Sequence, residues 1–379
     1  MPRPKRSDSN PNPTKRVTLQ DIAKVAGLHV MTVSDALSGA RSVAPATKDR
    51  VKQIARELNY VPNSAAKALA TGRTGLIAIM SGSLHEAYYA NMVAYLEKSL
   101  YADRYTPVLL RRPGELEELI AATGVTVIDG AIAIDMNGPM DTEALMDQFR
   151  NRSSMPCVCI GPYPRPAVDY VAIDLSEAIS AALRIMLGAG RQRIAYLVTA
   201  AFMAQPEESR ARAYIKTMQQ AGREVEIINV NTNILTEVEP QLKTYIERNG
   251  CPDALLCQND ETAMSAFRAL RDSGFRVPED VLLVGCDGQL HMKYFDTPLS
   301  TIVQPLEDMC NLAWKFLKNR IENPSLPQQH SILESELVVR DSLLPRLGPR
   351  QQSSAALSPS ATSVGSFYPG REENRVRND

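Results

Sequence analysis

Six side chains, Tyr88, Tyr89, Asp174, Arg210, Asn259 and Asp287, combine two aromatic faces, two carboxylates, one amide and one guanidinium. Each falls near a place where a short apolar run gives way to a polar, helix-length segment. Such a set suits a polyol: carboxylate, amide and guanidinium make bidentate hydrogen bonds to vicinal hydroxyls, and aromatic rings stack on the apolar sugar face. Asp260 directly follows Asn259. For Asp174 and Asp260, capping of the next helix is the competing reading. The chain has four histidines (His29, His85, His291, His330) but no nucleophile elbow, P-loop or metal-ligand spacing. No enzyme activity, cofactor or metal is therefore expected.

A second chemistry lies at residues 27–39, GLHVMTVSDALSG, which contain no Lys or Arg. Residues 1–75 nevertheless carry 13 Lys and Arg against 5 Asp and Glu, whereas the remainder carries 29 against 38. A basic head on an acidic body is the electrostatic pattern of a nucleic-acid-binding module joined to something else. Cations need not sit on a reading helix. Arg50, Lys52 and Lys67 can meet phosphates, as can helix amides near Thr18 and Thr32. Val30 and Met31 can touch thymine methyls, and His29 can add a donor. Asp35 can accept from a cytosine amino group, or it can pair with Arg41 or Lys24.

The elements that must hold these residues are legible in the spacing. TLQDIAKVAG predicts a helix with Thr18 as N-cap, Asp21 returning the bond, Ile22, Val25 and Ala26 facing inward, and Gly27 ending it. A second helix over 30–37 places Val33, Ala36 and Leu37 inward. A third, from Pro45 to Asn59, repeats Val51, Ile54, Ala55 and Leu58 at helical spacing over a basic outer face. After Pro62, SAAKALA makes a helix too short to be stable alone. From Leu76 onward GLIAIM, TPVLL, IDGAIAI, CVCIG, RIAYLV, VEIINV, DALLC and VLLVGC read as buried parallel strands. They alternate with amphipathic helices such as ANMVAYLEKSLYA and SEAISAALRIMLGAG. That is a doubly wound α/β pattern, in which ligands bind beyond the carboxyl ends of the strands.

Composition limits the rest. At 379 residues, 44% hydrophobic and 22% charged, the chain has room for two or three globular domains. It has no apolar run long enough to span a bilayer. The opening MPRPKRSDSNPNPTKR lacks the apolar core of a secretion signal, so a cytoplasmic location is expected. Cys157, Cys159, Cys251, Cys257, Cys286 and Cys310 form no CxxC pair and are expected as free thiols. Trp314 is expected in the core or an interface. The Ser/Ala/Pro-rich tail is expected to be disordered, and it holds no leucine heptads.

TLQDIAKVAG, TVSDALSG, ELNYVPN and AAKALATGRTG together resemble the N-terminal domain and hinge of the lactose-repressor/galactose-repressor (LacI/GalR) family of bacterial regulators. IDGAIAI, GRQRIAYL, SRARAYIKTMQQAG, PDALLCQNDETAM, LRDSGFRVPEDVLLVGCDG, TPLSTIVQP and ELVVRDS resemble that family's effector domain, so the likeness covers about 18–345. The resemblance implies a helix-turn-helix domain (17–61) after a disordered arm (1–16), and a hinge helix and linker (62–74). It implies next a two-lobed periplasmic-binding-protein-like α/β domain with parallel sheets (75–346) and a disordered tail (347–379). It implies DNA contacts from Thr18, His29, Val30, Met31, Thr32, Ser34, Asp35, Asn63, Ala66 and Leu69, with Leu69 as a wedge in the minor groove. It implies effector contacts from Arg210, Asn259 and Asp287, with Tyr88 and Tyr89 at the pocket mouth and Asp174 less firmly matched. The expected partners are a palindromic double-stranded operator, a small-molecule effector of the sugar or sugar-derivative class, and a second copy of the chain, with no membrane.

Two departures stand out. The pair before the first pocket helix is Glu86–Ala87 where the family usually has Asn-Pro, and AFMAQPEESR lacks the usual glycine-containing loop, so Phe202 or Met203 can fill part of the site. The expected function is a ligand-controlled transcriptional regulator, most readily a repressor. The alternatives are a soluble sugar receptor without DNA regulation and a corepressor-dependent regulator of a non-sugar ligand.

Overall fold

The computed structural model describes residues 17–38, 43–60, 72–110, 115, 118, 128–134, 155–165, 167–232 and 234–344. The first unit contains α1 (Leu19–Ala26), α2 (Val30–Ser38) and α3 (Pro45–Glu57). Thr18 caps α1 as its spacing predicts. Its backbone N–H and hydroxyl donate to Asp21 Oδ2 at 2.9 and 2.7 Å, and the Asp21 N–H donates to Thr18 Oγ1 at 3.4 Å. Gly27 ends the helix at φ +64°, a backbone that costs little without a Cβ. Ile22, Ala23, Ala26, Val33, Ala36, Val51, Ile54 and Ala55 close the core. Val25, expected inside, is 56% exposed, and Ala23 takes its place. A stripe centred on Ile22 and Ala26 can include either neighbour, and the smaller one lets three short helices approach closely.

In chain order the body continues with β1 (Leu76–Met80), α4 (Ala87–Ala102), β2 (Thr106–Leu110), β3 (Gly130–Ile134), β4 (Cys157–Gly161) and β5 (Asp169–Asp174). Then come α5 (Ser176–Gly188), β6 (Ile194–Val198), α6 (Ser209–Gln220), β7 (Glu226–Asn229), α7 (Leu235–Asn249) and β8 (Ala254–Cys257). The last elements are α8 (Asp260–Asp272), β9 (Leu282–Asp287), β10 (Ser300–Val303), α9 (Leu306–Glu322), β11 (His330–Glu334) and β12 (Glu336–Val338).

These strands form two sheets, ordered β11-β5-β4-β3-β1-β2 and β12-β10-β9-β8-β6-β7. Among the described residues every pairing is parallel except β10 with β12. Continuous runs such as Ile77–Met80 and Ile194–Val198 bury both faces, as parallel sheets covered by helices require. TPVLL differs from its expectation. It is the edge strand β2, and only Leu110 is fully buried. The last three strands were not legible, because they are three to five residues long and two of them, β11 and β12, lie on sheet edges, β11 with alternating exposure.

The chain passes between the lobes after β5, after β10 and after β11. In the second passage α9 joins the first lobe. Arg320 there donates to both oxygens of Asp169 at 3.0 and 2.8 Å. Trp314 is 5% exposed and donates to Asp103 Oδ2 at 2.8 Å, so it is a core residue. The linker is fixed at its body end. Thr74 donates through N–H and hydroxyl to Asp129 Oδ1 at 2.7 and 2.8 Å, and the Gly75 N–H donates to Oδ2 at 2.9 Å. Asn63, Ala66 and Leu69 lie outside the described residues. No described helix is long and apolar enough to cross a membrane. All six cysteines are free thiols.

Candidate functional site

In α2 the side chains separate into core and surface as an amphipathic helix requires. Val33 and Ala36 are fully buried, Val30 leans on their core, and Met31 projects with 69% exposure. Thr18, His29 and Ser34 are exposed, and Thr32 and Asp35 half-buried. The Met31 N–H donates to His29 Nδ1 at 3.4 Å, which leaves Nε2 as the nitrogen that can donate outward. Met31, Ser34 and Asp35 follow each other at helical spacing, with no cation among them.

The second site forms where strand order reverses. In the second sheet β6 lies between β7 and β8, so the loops after β6 and β8 diverge and open a crevice. Gln258 joins the two strand ends, accepting from Thr199 N–H and donating to Thr199 Oγ1, both at 2.8 Å. Asn259 caps α8, with Oδ1 accepting from the Thr262 N–H at 2.9 Å. Its half-exposed amide nitrogen remains a donor. Asp260 is fully buried, accepting from Thr301 Oγ1 and Gln289 N–H at 2.6 Å each, and a Cβ on Gly285 would collide with it. Its role is to tie β9 and β10 to α8.

Arg210 sits in the first turn of α6, 9% exposed, with Nη1 donating to Glu208 Oε1 at 2.9 Å. Glu208 is 2% exposed and its other oxygen caps α6 through the Ala211 N–H at 2.9 Å. Burial works to lower the Arg210 pKa, but the field of Glu208, with smaller help from Asp287, holds the guanidinium well above its ordinary value. Asp287 ends β9 at φ +121°, a conformation L-residues rarely adopt, and such strain collects at functional sites. Its Oδ1 accepts from Gln304 Nε2 at 2.8 Å. Burial first, then the Asp260 field, pushes its carboxyl well above the usual range.

Tyr88 and Tyr89 open α4 and are 6% and 5% exposed, edge to face at 5.2 Å. They pack in the core of the first lobe, and the Tyr89 ring lies over Gly82, where a Cβ would meet Cζ at 2.5 Å. Asp174 is exposed and accepts from the Ser176 N–H at 2.8 Å, while the N-cap of α5 is Leu175, which makes no side-chain cap bond. Phe202 is 44% exposed, while Met203 packs against the core.

Among the described residues, six polar side-chain atoms are buried without a hydrogen-bond partner: Ser81 Oγ, Arg191 Nε, Tyr196 OH, Arg210 Nε, Glu261 Oε2 and Gln289 Nε2. Such atoms each cost about 1–3 kcal/mol unless a ligand or water meets them. Glu208, Glu261, Gln289 and Gln304 were missed in the sequence. PEESR, QNDETAM, GCDGQ and STIVQP carry them, yet only contact across the fold reveals their use.

The buried acids predict a pH dependence. Burial chiefly lifts the Asp260 carboxyl to about 7, against about 4 in an unfolded chain. The protonated form is therefore the one the fold favours. This contribution is complete below pH 4, declines as pH rises and is gone above about 7, a change of about 4 kcal/mol. Asp287 acts in the same direction. Urea unfolding from pH 4 to 8 should show this decline, and Asp260→Asn should flatten it. An equal slope in the variant would remove Asp260 as the cause.

Residues 18–63 match the family described as bacterial regulatory proteins, lacI family, and residues 183–343 match a periplasmic binding protein-like domain. The chain is similar to the HTH-type transcriptional regulator CelR of Thermobifida fusca, 29% identical over 340 residues, covering 86% of this chain and 98% of that one. It is similar to the HTH-type transcriptional repressor PurR of Photobacterium profundum, 26% identical over 337 residues, at 86% and 98% coverage. Among solved structures, the Lac repressor dimer bound to operator and the anti-inducer ONPF shares the fold at a TM-score of 0.74 and 22% identity, covering 87% of this chain and 100% of that one. A CelR–cellobiose complex matches at 0.61 and 28%, covering 86% and 100%.

Proposed function

The chain belongs to the lacI family of bacterial regulatory proteins, and from that premise we propose that it is a repressor whose operator affinity is set by a small molecule held between its two lobes. It is not an enzyme. One observation carries the ligand half of this reading: Arg210, buried and paired through Nη1, keeps Nε without an acceptor among the described residues beside Asp287. A guanidinium edge and a nearby carboxylate suit vicinal hydroxyls, and the relative that carries cellobiose supports a carbohydrate. We assign Arg210, Asn259 and Asp287 to that ligand, and assign Tyr88, Tyr89 and Asp174 to shaping its surroundings.

DNA binding is assigned to 17–61, with Met31, Ser34 and Asp35 facing the major groove and Thr18, His29, Val30 and Thr32 supporting them. Residues 62–74 serve as hinge and linker, with Asn63, Ala66 and Leu69 on DNA; 1–16 and 347–379 are flanking segments. The chain acts in the cytoplasm as a homodimer on a palindromic site. The effector has different affinity for two lobe arrangements, and those arrangements space the paired hinges differently, so ligand and DNA affinities are coupled reciprocally.

Asp35→Arg should change which sequences are selected, because an acceptor for cytosine becomes a bidentate donor for guanine. An unchanged preference would mean that Asp35 reads no base. The test of the function itself is selection of genomic fragments by the full-length protein at stated salt. Enrichment of a palindrome is expected; fragments retained without sequence preference, with and without added carbohydrates, would overturn the reading.

A further inference from the structure

The amino end of α4 and the start of α8 belong to different lobes, yet the Ala87 N–H donates to Glu261 Oε1 at 3.0 Å. Glu261 is 6% exposed, and its other oxygen is buried without a partner among the described residues. A carboxylate so desolvated is costly unless its remaining bonds are charge-assisted, and the positive end of a helix supplies such a bond. The N-cap residue of α4, Glu86, makes no side-chain cap hydrogen bond, so the cap comes from the opposite lobe. A proline at position 87 would have no N–H to give.

We propose that Glu261 is a positioning residue that clasps the two lobes together by capping the first helix of the opposite lobe. The proposal rests on the reading of the interlobe crevice as the effector site. The clasp is continuous with the linker. Along its length α4 is bonded to α9 through Lys98 with Glu307 at 2.7 Å, Ser99 with Asn311 at 2.7 Å, and Asp103 with Trp314 and Lys318 at 2.8 and 3.0 Å. In the last turn of α9 the Ile321 carbonyl accepts from Arg73 of the linker at 3.3 Å. Opening the clasp therefore frees the lobe to which the DNA-binding helices are attached.

The test reads the interlobe distance between spin labels at the exposed positions Ala94 on α4 and Arg268 on α8. Full-length protein is used, diluted with unlabelled chain, without DNA or ligand. Glu261→Ala removes the acceptor and Ala87→Pro removes the donor. Proline is well tolerated at the first position of a helix, and Glu86 already has the extended backbone (φ −89°, ψ 124°) that precedes proline. Both variants should raise the population of long distances about tenfold, the factor expected for one charge-assisted hydrogen bond. The double variant should open no further than either single one. A wild-type distance distribution in Ala87→Pro, or additive opening in the double variant, overturns the clasp. If Glu261→Ala fails to fold, Ala87→Pro decides alone. A failed clasp leaves the fragment selection unaffected, and a failed selection leaves the distances unaffected, so the two readings fall separately.

Discussion

Arg210→Ala should abolish the response of DNA binding to effector and destabilise the folded chain by about 3–5 kcal/mol, the cost of stranding one partner of a buried pair. The stranded group is Glu208, whose side chain is 1% exposed and cannot turn to water without giving up the cap of α6. Loss of the guanidinium also removes the positive field that offsets the Asp260 field at Asp287. Arg210→Lys keeps a charge but loses the planar fork, so it should restore much of the stability and little of the response. Denaturant unfolding and operator titration read the two effects separately. A variant that still answers effector like wild type would remove Arg210 from the binding site.

Leu69→Ala should weaken binding to the selected operator about a hundredfold while leaving binding to unrelated DNA nearly unchanged. An apolar wedge opens a base step, and the resulting bend brings more protein surface onto the duplex. It neutralises no phosphate. The dependence of affinity on salt should therefore keep its wild-type slope even as specific affinity falls. Equal losses on both kinds of DNA would mean that Leu69 serves only to connect the domains.

Much of this fold was readable because its rules are local. The capping box of Thr18 and Asp21 and the left-handed Gly27 follow from three or four neighbouring residues. The doubly buried strands announce themselves as continuous apolar runs. What escaped depended on distant pairing. β11 has an alternating pattern that only its place on a sheet edge explains, and β12 is three residues long. The site divides in the same way. Arg210, Asn259 and Asp287 could be placed at strand ends, and the structure brings Arg210 and Asp287 into one field. Their partners Glu208 and Gln304 could not be chosen from the many acids and amides of the chain. The family resemblance put Tyr88 and Tyr89 at a pocket mouth, and they are 6% and 5% exposed because the helix that carries them turns its first residues inward.

The most direct measurement is titration of the full-length protein with its own selected fragment, at one fixed salt concentration, with and without a saturating mixture of mono- and disaccharides. A change in apparent Kd of at least about fivefold is expected, the lower end of ordinary allosteric coupling, and it should vanish in Arg210→Ala. Superimposable curves for the wild-type protein, with and without the mixture, would contradict control of DNA binding by a carbohydrate between the lobes.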